Sequence, residues 1–217
     1  MSSIMRVFKI LPLVLCFSAS AFASNSFYIG GGIASSNSKL ERNGVVTAGS
    51  YSQAGSASNS SNAFGAFVDA GYKISLKKFY ISPEAFFQLQ SNAEVSNGTG
   101  KVFAVNGPLY GGLVRFGYDF QNNLRVNIFG GVTNAERYSA LLGDYNPIFQ
   151  TTTRAFYGTY GLGLAYKIND KFDVKGDISY VDLGSNGANG LSYSSTTVNI
   201  SDKFSMMQVK VGVTRYL

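Results

Sequence analysis

Histidine and tryptophan are absent from all 217 residues, and the single cysteine, Cys16, lies close to the N-terminus. Without histidine or a thiol beyond Cys16, the Ser–His and Cys–His pairs that activate a nucleophile near neutral pH are missing, and zinc loses its usual ligands. No catalytic, metal-binding or cofactor-binding residue is therefore assigned, and the chain is read as not an enzyme. An acyl transferase built from Ser and carboxylates alone stays open; its sign would be a Ser or Tyr held by a carboxylate at the outer rim. Charge is scarce too, at 14% of residues, where a soluble domain carries about 25%. Beyond the N-terminus no apolar run approaches the ~20 residues of a membrane helix. A membrane protein of this kind must spread its hydrophobicity over alternate residues of a β-barrel.

The N-terminus has the parts of an export signal: basic Arg6 and Lys9, apolar Ile10 to Phe17, and the small-residue site Ala21-Phe22-Ala23. Cleavage is expected before Ser24, giving a signal peptide over 1–23 and a single domain over 24–217. A lipoprotein signal at Cys16 is disfavoured because Leu15 stands where a small residue is usual. Removing 1–23 takes away two basic residues and lowers the formal net charge from +6 to +4. The remaining basic residues are scattered, which argues against nucleic acid.

What is present is aromatic and glycine-rich: 17 Phe, 14 Tyr and 25 Gly. From Ser26 onward the chain divides into eight segments of period-two hydrophobicity, at 26–35, 63–73, 79–90, 108–120, 124–134, 154–167, 172–183 and 206–217. Long connections are predicted at 36–62, 91–107, 135–153 and 184–205, and short ones at 74–78, 121–123 and 168–171. This asymmetry predicts an all-β fold, an eight-stranded antiparallel transmembrane barrel with an up-and-down meander. The low-complexity stretch 36–62 reads as a mobile loop.

Alternation alone does not say which face meets lipid, and a soluble lipocalin-like barrel has the same period. Three features favour lipid. The polar face is poor in charge and rich in Gly, Ala, Ser and Thr. Phe27, Tyr72, Phe79, Tyr118, Phe120, Tyr166 and Phe172 cluster at strand ends near the short turns, as in an interfacial girdle. The last strand also leaves no stretch for a closing helix. Parity then puts Val68, Phe87, Val114, Ile128, Leu162, Ile178 and Val211 at lipid.

The runs Tyr80-Ile81-Ser82-Pro83-Glu84, Gly117-Tyr118-Asp119-Phe120 and Gly161-Leu162-Gly163-Leu164-Ala165-Tyr166, continued by Asp177-Ile178-Ser179-Tyr180, carry a family likeness. In these the chain resembles the small OmpA-like and opacity-type outer-membrane barrels, a likeness of pattern over nearly all of 26–217. The resemblance implies a location in the bacterial outer membrane and a role as adhesin, surface antigen, structural anchor or narrow pore. Two departures stand out. Tyr216 occupies the penultimate place, on the opposite face from the family's terminal aromatic. Residues 24–217 are read as barrel alone, without the peptidoglycan-binding domain of two-domain relatives, so no cell-wall anchor is expected.

Asp69, Glu84, Arg115, Arg125, Lys175, Asp177 and Lys210 fall on the lumen face. They read either as a selectivity lining or, better suited to a barrel only wide enough for side chains, as a salt-bridged plug. Counting heights from the short turns pairs Glu84 with Arg115 and Asp177 with Lys210, with Asp69 sharing Arg115. Pro83, inside a strand, reads as a bulge. Tyr145 and Phe149 flank Pro147 in the third long connection and are candidate partner contacts. The leading reading is a monomeric surface barrel in contact with outer-membrane lipid, acting as an adhesin or surface antigen on a host or surface ligand through four external loops. The alternative is a narrow porin or small-molecule channel.

Overall fold

The structure, a computed structural model, describes residues 25–97, 100–142, 147–193 and 196–217; the expected signal peptide lies outside them. Nine strands are described: β1 (Ser26–Ala48), β2 (Tyr51–Leu76), β3 (Phe79–Gln90), β4 (Ala93–Asn97), β5 (Gly100–Asp119), β6 (Leu124–Leu142), β7 (Pro147–Lys167), β8 (Phe172–Tyr193) and β9 (Thr196–Tyr216). Every pairing is antiparallel, β1 joins β9, and β3 joins β5 to close the ring. β3 and β4 both pair with β5 in succession, so they form one stave. The barrel has eight staves, as the alternation predicted.

The short turns are tight. Lys77 and Asn123 take positive φ of 61° and 66°, and the Asn169 side chain accepts the amides of Lys171 and Phe172 at 2.9 and 3.0 Å. Phe27 and Tyr72, Phe79 and Tyr118, and Tyr118 and Phe120 make ring contacts at 4.6, 5.1 and 4.8 Å, forming the girdle beside these turns. All seven residues assigned to lipid by parity are exposed, from 39% at Val114 to 60% at Ile128. A second aromatic level, absent from the sequence reading, lies near the other boundary, where Tyr110 meets Phe156 and Tyr160 meets Tyr180.

Two expectations fail. The long connections are largely strand. Segment 36–62 is a regular ladder from Asn37–Asn62 to Ala48–Tyr51, turning over Gly49, whose φ of +61° glycine adopts at no steric cost. Nor is Pro83 a bulge. The β2–β3 register is the same at Gly71–Glu84 and Ile74–Ile81, and only the bonds between them are missing. Proline has no N–H to give to the ladder, and that omission accounts for the gap.

The extended strands keep their parity but exchange chemistry at the outer boundary. On β9, Met207, Val209, Val211 and Val213 face out while Gln208, Lys210 and Thr214 are buried. Further along, Phe204 and Met206 are buried and Lys203 is exposed. The barrel is thus polar inside at membrane depth and apolar inside above it, where water replaces lipid around the wall. Leu40, Phe103, Leu109, Leu183, Phe204 and Met206 belong to this upper core, each large side chain contributing roughly 1.5–3 kcal/mol on burial.

Above the membrane the ring also divides. β2 pairs with β3 only from Gly65 inward, and β7 with β8 only from Gly158 inward. Beyond those points β2–β1–β9–β8 and β4–β5–β6–β7 continue as two separate four-stranded sheets.

Candidate functional site

The interior side chains form successive levels along the axis. At the periplasmic end Arg125 bonds Asp173 and the Tyr216 hydroxyl (2.8 Å) and lies 3.1 Å from Asp119, which Lys73 also meets at 2.6 Å. Tyr216 donates in turn to Asp173 at 2.9 Å. The penultimate tyrosine therefore points inward, as its parity required, and belongs to the interior network.

At mid-height Arg115 on β5 is the hub. Its Nε and Nη2 donate to the two Glu84 oxygens at 3.0 and 2.8 Å, and Nη1 and Nη2 donate to the two Asp177 oxygens at 2.9 and 2.8 Å. Nη1 also reaches the Asn127 side chain at 3.1 Å. Tyr28 donates to Glu84 at 2.9 Å, and its hydroxyl lies 2.9 Å from that of Ser82. Gly163 makes the room, since a Cβ there would lie 2.4 Å from an Asp177 oxygen. A planar guanidinium fork suits this arrangement, because it can hold two carboxylates edge-on at once.

Glu84 and Arg115 meet as counted. The other pairings expected from the sequence do not form. Asp177 and Lys210 are opposed across the β8–β9 ladder, yet Asp177 turns inward to Arg115. Lys210 instead lies 4.2 Å over the Phe86 ring, and among the described residues it has no carboxylate within bonding distance. Asp69 bonds Lys175 at 2.6 Å rather than sharing Arg115. Counting heights along the wall missed that long side chains bridge the narrow lumen to staves that are not neighbours.

Above this network Gln88 and Gln208 both donate to Ser36 Oγ, and Thr133 and Thr159 meet at 2.6 Å. The apolar core follows, and beyond it Arg42 grips Asp202 with two bonds of 2.7 Å, supported by Ser139. Two small cavities remain around the middle network, of about 40 and 10 Å³. Together they have room for a few waters at ~10–15 Å³ each. Of the proposed loop contacts, Tyr145 lies outside the described residues. Phe149 is described only as backbone, opposite Leu141 in the β6–β7 ladder.

Among solved structures, the outer membrane protein OprG from Pseudomonas aeruginosa is similar at 13% identity and a TM-score of 0.53, with 90% of this chain and 97% of that one covered. Neisserial surface protein A is similar at 12% identity and a TM-score of 0.42, over 87% and 99% of the two chains. No curated protein sequence matches. The profile of the outer membrane protein beta-barrel domain matches residues 10–212. The chain belongs to that family, and its place is the bacterial outer membrane.

Proposed function

We propose that this barrel is a closed, non-catalytic scaffold that acts at the cell surface through its outer hairpins, as an adhesin or surface antigen does. The filled interior carries the reading. Arg115 ties β3, β5 and β8 together across the lumen, a buried apolar core lies above it, and the cavities around Arg115 are of water size. The chemistry offered to the outside lies on the hairpins.

One observation favours a second reading, passage of a small apolar molecule. The ladder from β3 to β5 ends at Gln88–Leu109 and that from β4 begins at Ala93–Val105. The β5–β6 register also shifts between Asn106 and Tyr110. The ladders are therefore interrupted on both sides of β5 beside Val105 and Leu109 of the apolar core.

Two measurements separate the readings. Refolded protein in a planar bilayer is expected to show no steady conductance; a persistent open level would replace the scaffold with the pore. Replacing residues 44–55 by Asn-Gly shortens the β1–β2 hairpin with a turn suited to a tight reversal. Adhesion of cells displaying this variant to cultured epithelial cells should fall, while the barrel keeps its heat-resistant gel mobility. Adhesion unchanged after shortening each hairpin in this way would remove the adhesin reading.

A further inference from the structure

The division of the outer barrel into two sheets leaves strand edges open, and they are not equally protected. On β8, Arg137 donates to the carbonyl of Leu183 at 2.6 Å and to the Asn186 side chain at 2.7 Å, covering that edge. On β7, Arg154 stands beside Glu136 at 3.4 Å, so charge guards it. β2 has neither. From Tyr51 to Ser60 its backbone pairs with β1 alone, and among the described residues nothing bonds its other edge. These residues are almost wholly exposed. The stretch Asn43–Val68 contains no charged residue and no proline, the two devices that ordinarily stop an edge from accepting another strand.

We propose that the free edge of β2 pairs with the same edge of a second copy on an apposed membrane, so that the protein joins like cells to like. This rests on the reading of the outer hairpins as the interacting part and names their partner. Symmetry selects the partner and its placement. Two identical edges form an antiparallel ladder when a two-fold axis lies perpendicular to the strand. Barrels in one membrane all point the same way and do not meet this condition, whereas barrels facing each other from two membranes do. Reach allows it as well. From Phe64, the outermost lipid-facing aromatic of β2, to Tyr51 the strand runs roughly 40 Å at ~3.3 Å per residue. The side chains are compatible with close approach: Ser52, Ala54, Ser56, Ser58 and Ser60 share the outward face, all small and uncharged, so identical copies meet without like-charge repulsion. Backbone bonds supply the affinity in strand addition of this kind.

The test uses the whole mature protein in phospholipid vesicles, with hairpins on the outside verified by protease access, in two dye-labelled populations. Wild-type vesicles should cluster and the dyes should co-localise. Ser56→Lys with Ser58→Lys, and separately Ser56→Glu with Ser58→Glu, place like charges opposite each other in a ladder centred on Ala57. Each should reduce clustering at least tenfold while the barrel retains heat-resistant mobility. Mixing the Lys population with the Glu population should restore clustering between the two colours at 0.15 M salt, where attraction between charged surfaces beyond about 8 Å is screened and opposite charges must come into direct contact. Dispersed wild-type vesicles, unaffected charged variants, or mixed populations that stay apart would each overturn the proposal. Wild-type vesicles that stay dispersed while displaying cells still adhere to epithelial cells would end this inference and leave the adhesin reading standing.

Discussion

Arg115 sits 7% exposed with two carboxylates on one guanidinium, so its removal differs in kind from removal of the whole group. Arg115→Ala leaves Glu84 and Asp177 facing each other without their main cation, and a buried charge stripped of its partner costs about 3–5 kcal/mol. Arg115→Met combined with Glu84→Gln and Asp177→Asn removes charge from all three and should cost less than the single change. Urea unfolding of vesicle-embedded protein measures both; a triple variant as damaged as Arg115→Ala would show that packing, not charge balance, holds this level. The seven charges were legible as lumen residues because strand parity is binary. Their partners were legible only at Glu84 and Arg115, diagonal neighbours on adjacent staves two residues apart in register. Asp173 and Tyr216 were readable as inward but not as a bonded set with Arg125, since that requires knowing how far each side chain leans.

A strand records its surroundings in its alternation, and this sets what could be read of each element. Within the membrane, lipid outside and a polar lumen inside give full contrast, and eight segments emerged at nearly their observed inner ends. Past the outer boundary β2 carries only Ser, Gln, Gly, Ala and Asn from Ser52 to Ala63, so no contrast between faces marks the strand. The ladder to β1 nevertheless continues, because backbone pairing needs no side-chain pattern once a hairpin has fixed the register. The same logic predicts a depth profile along β7. Leu162, 58% exposed, lies mid-strand, and Ile168, 56% exposed, lies at the short turn. Leu162→Arg should cost roughly 2–4 kcal/mol of folding into lipid and Ile168→Arg only about 0–1. Equal costs from the two refolding titrations would mean that the belt is misplaced along the strand.

Over the whole molecule, the proposed closed scaffold would place two barriers in series, one ionic at mid-membrane and one apolar above it. The sequence reading contained only the first, because residues of the second, such as Leu40, Phe103 and Phe204, lay in stretches taken for loops. An ion crossing the barrel must displace Arg115 from its carboxylates and must also cross a dry core in which Phe103 and Phe204 pack at 5.6 Å. Truncating the two rings alone leaves a void lined by apolar atoms, and voids of that kind stay dry. Arg115→Ala alone widens a polar cavity that remains capped. Neither Arg115→Ala nor the Phe103→Ala, Phe204→Ala pair should therefore conduct in a planar bilayer, whereas the three changes together should give discrete openings, provided each variant keeps heat-resistant mobility. Steady steps from Arg115→Ala alone would show that the apolar core is permeable and that one ionic gate closes the barrel. Silence from the triple variant would place the barrier elsewhere, with the Gln88–Ser36–Gln208 level, which neither set of changes touches, as the structure that still seals it.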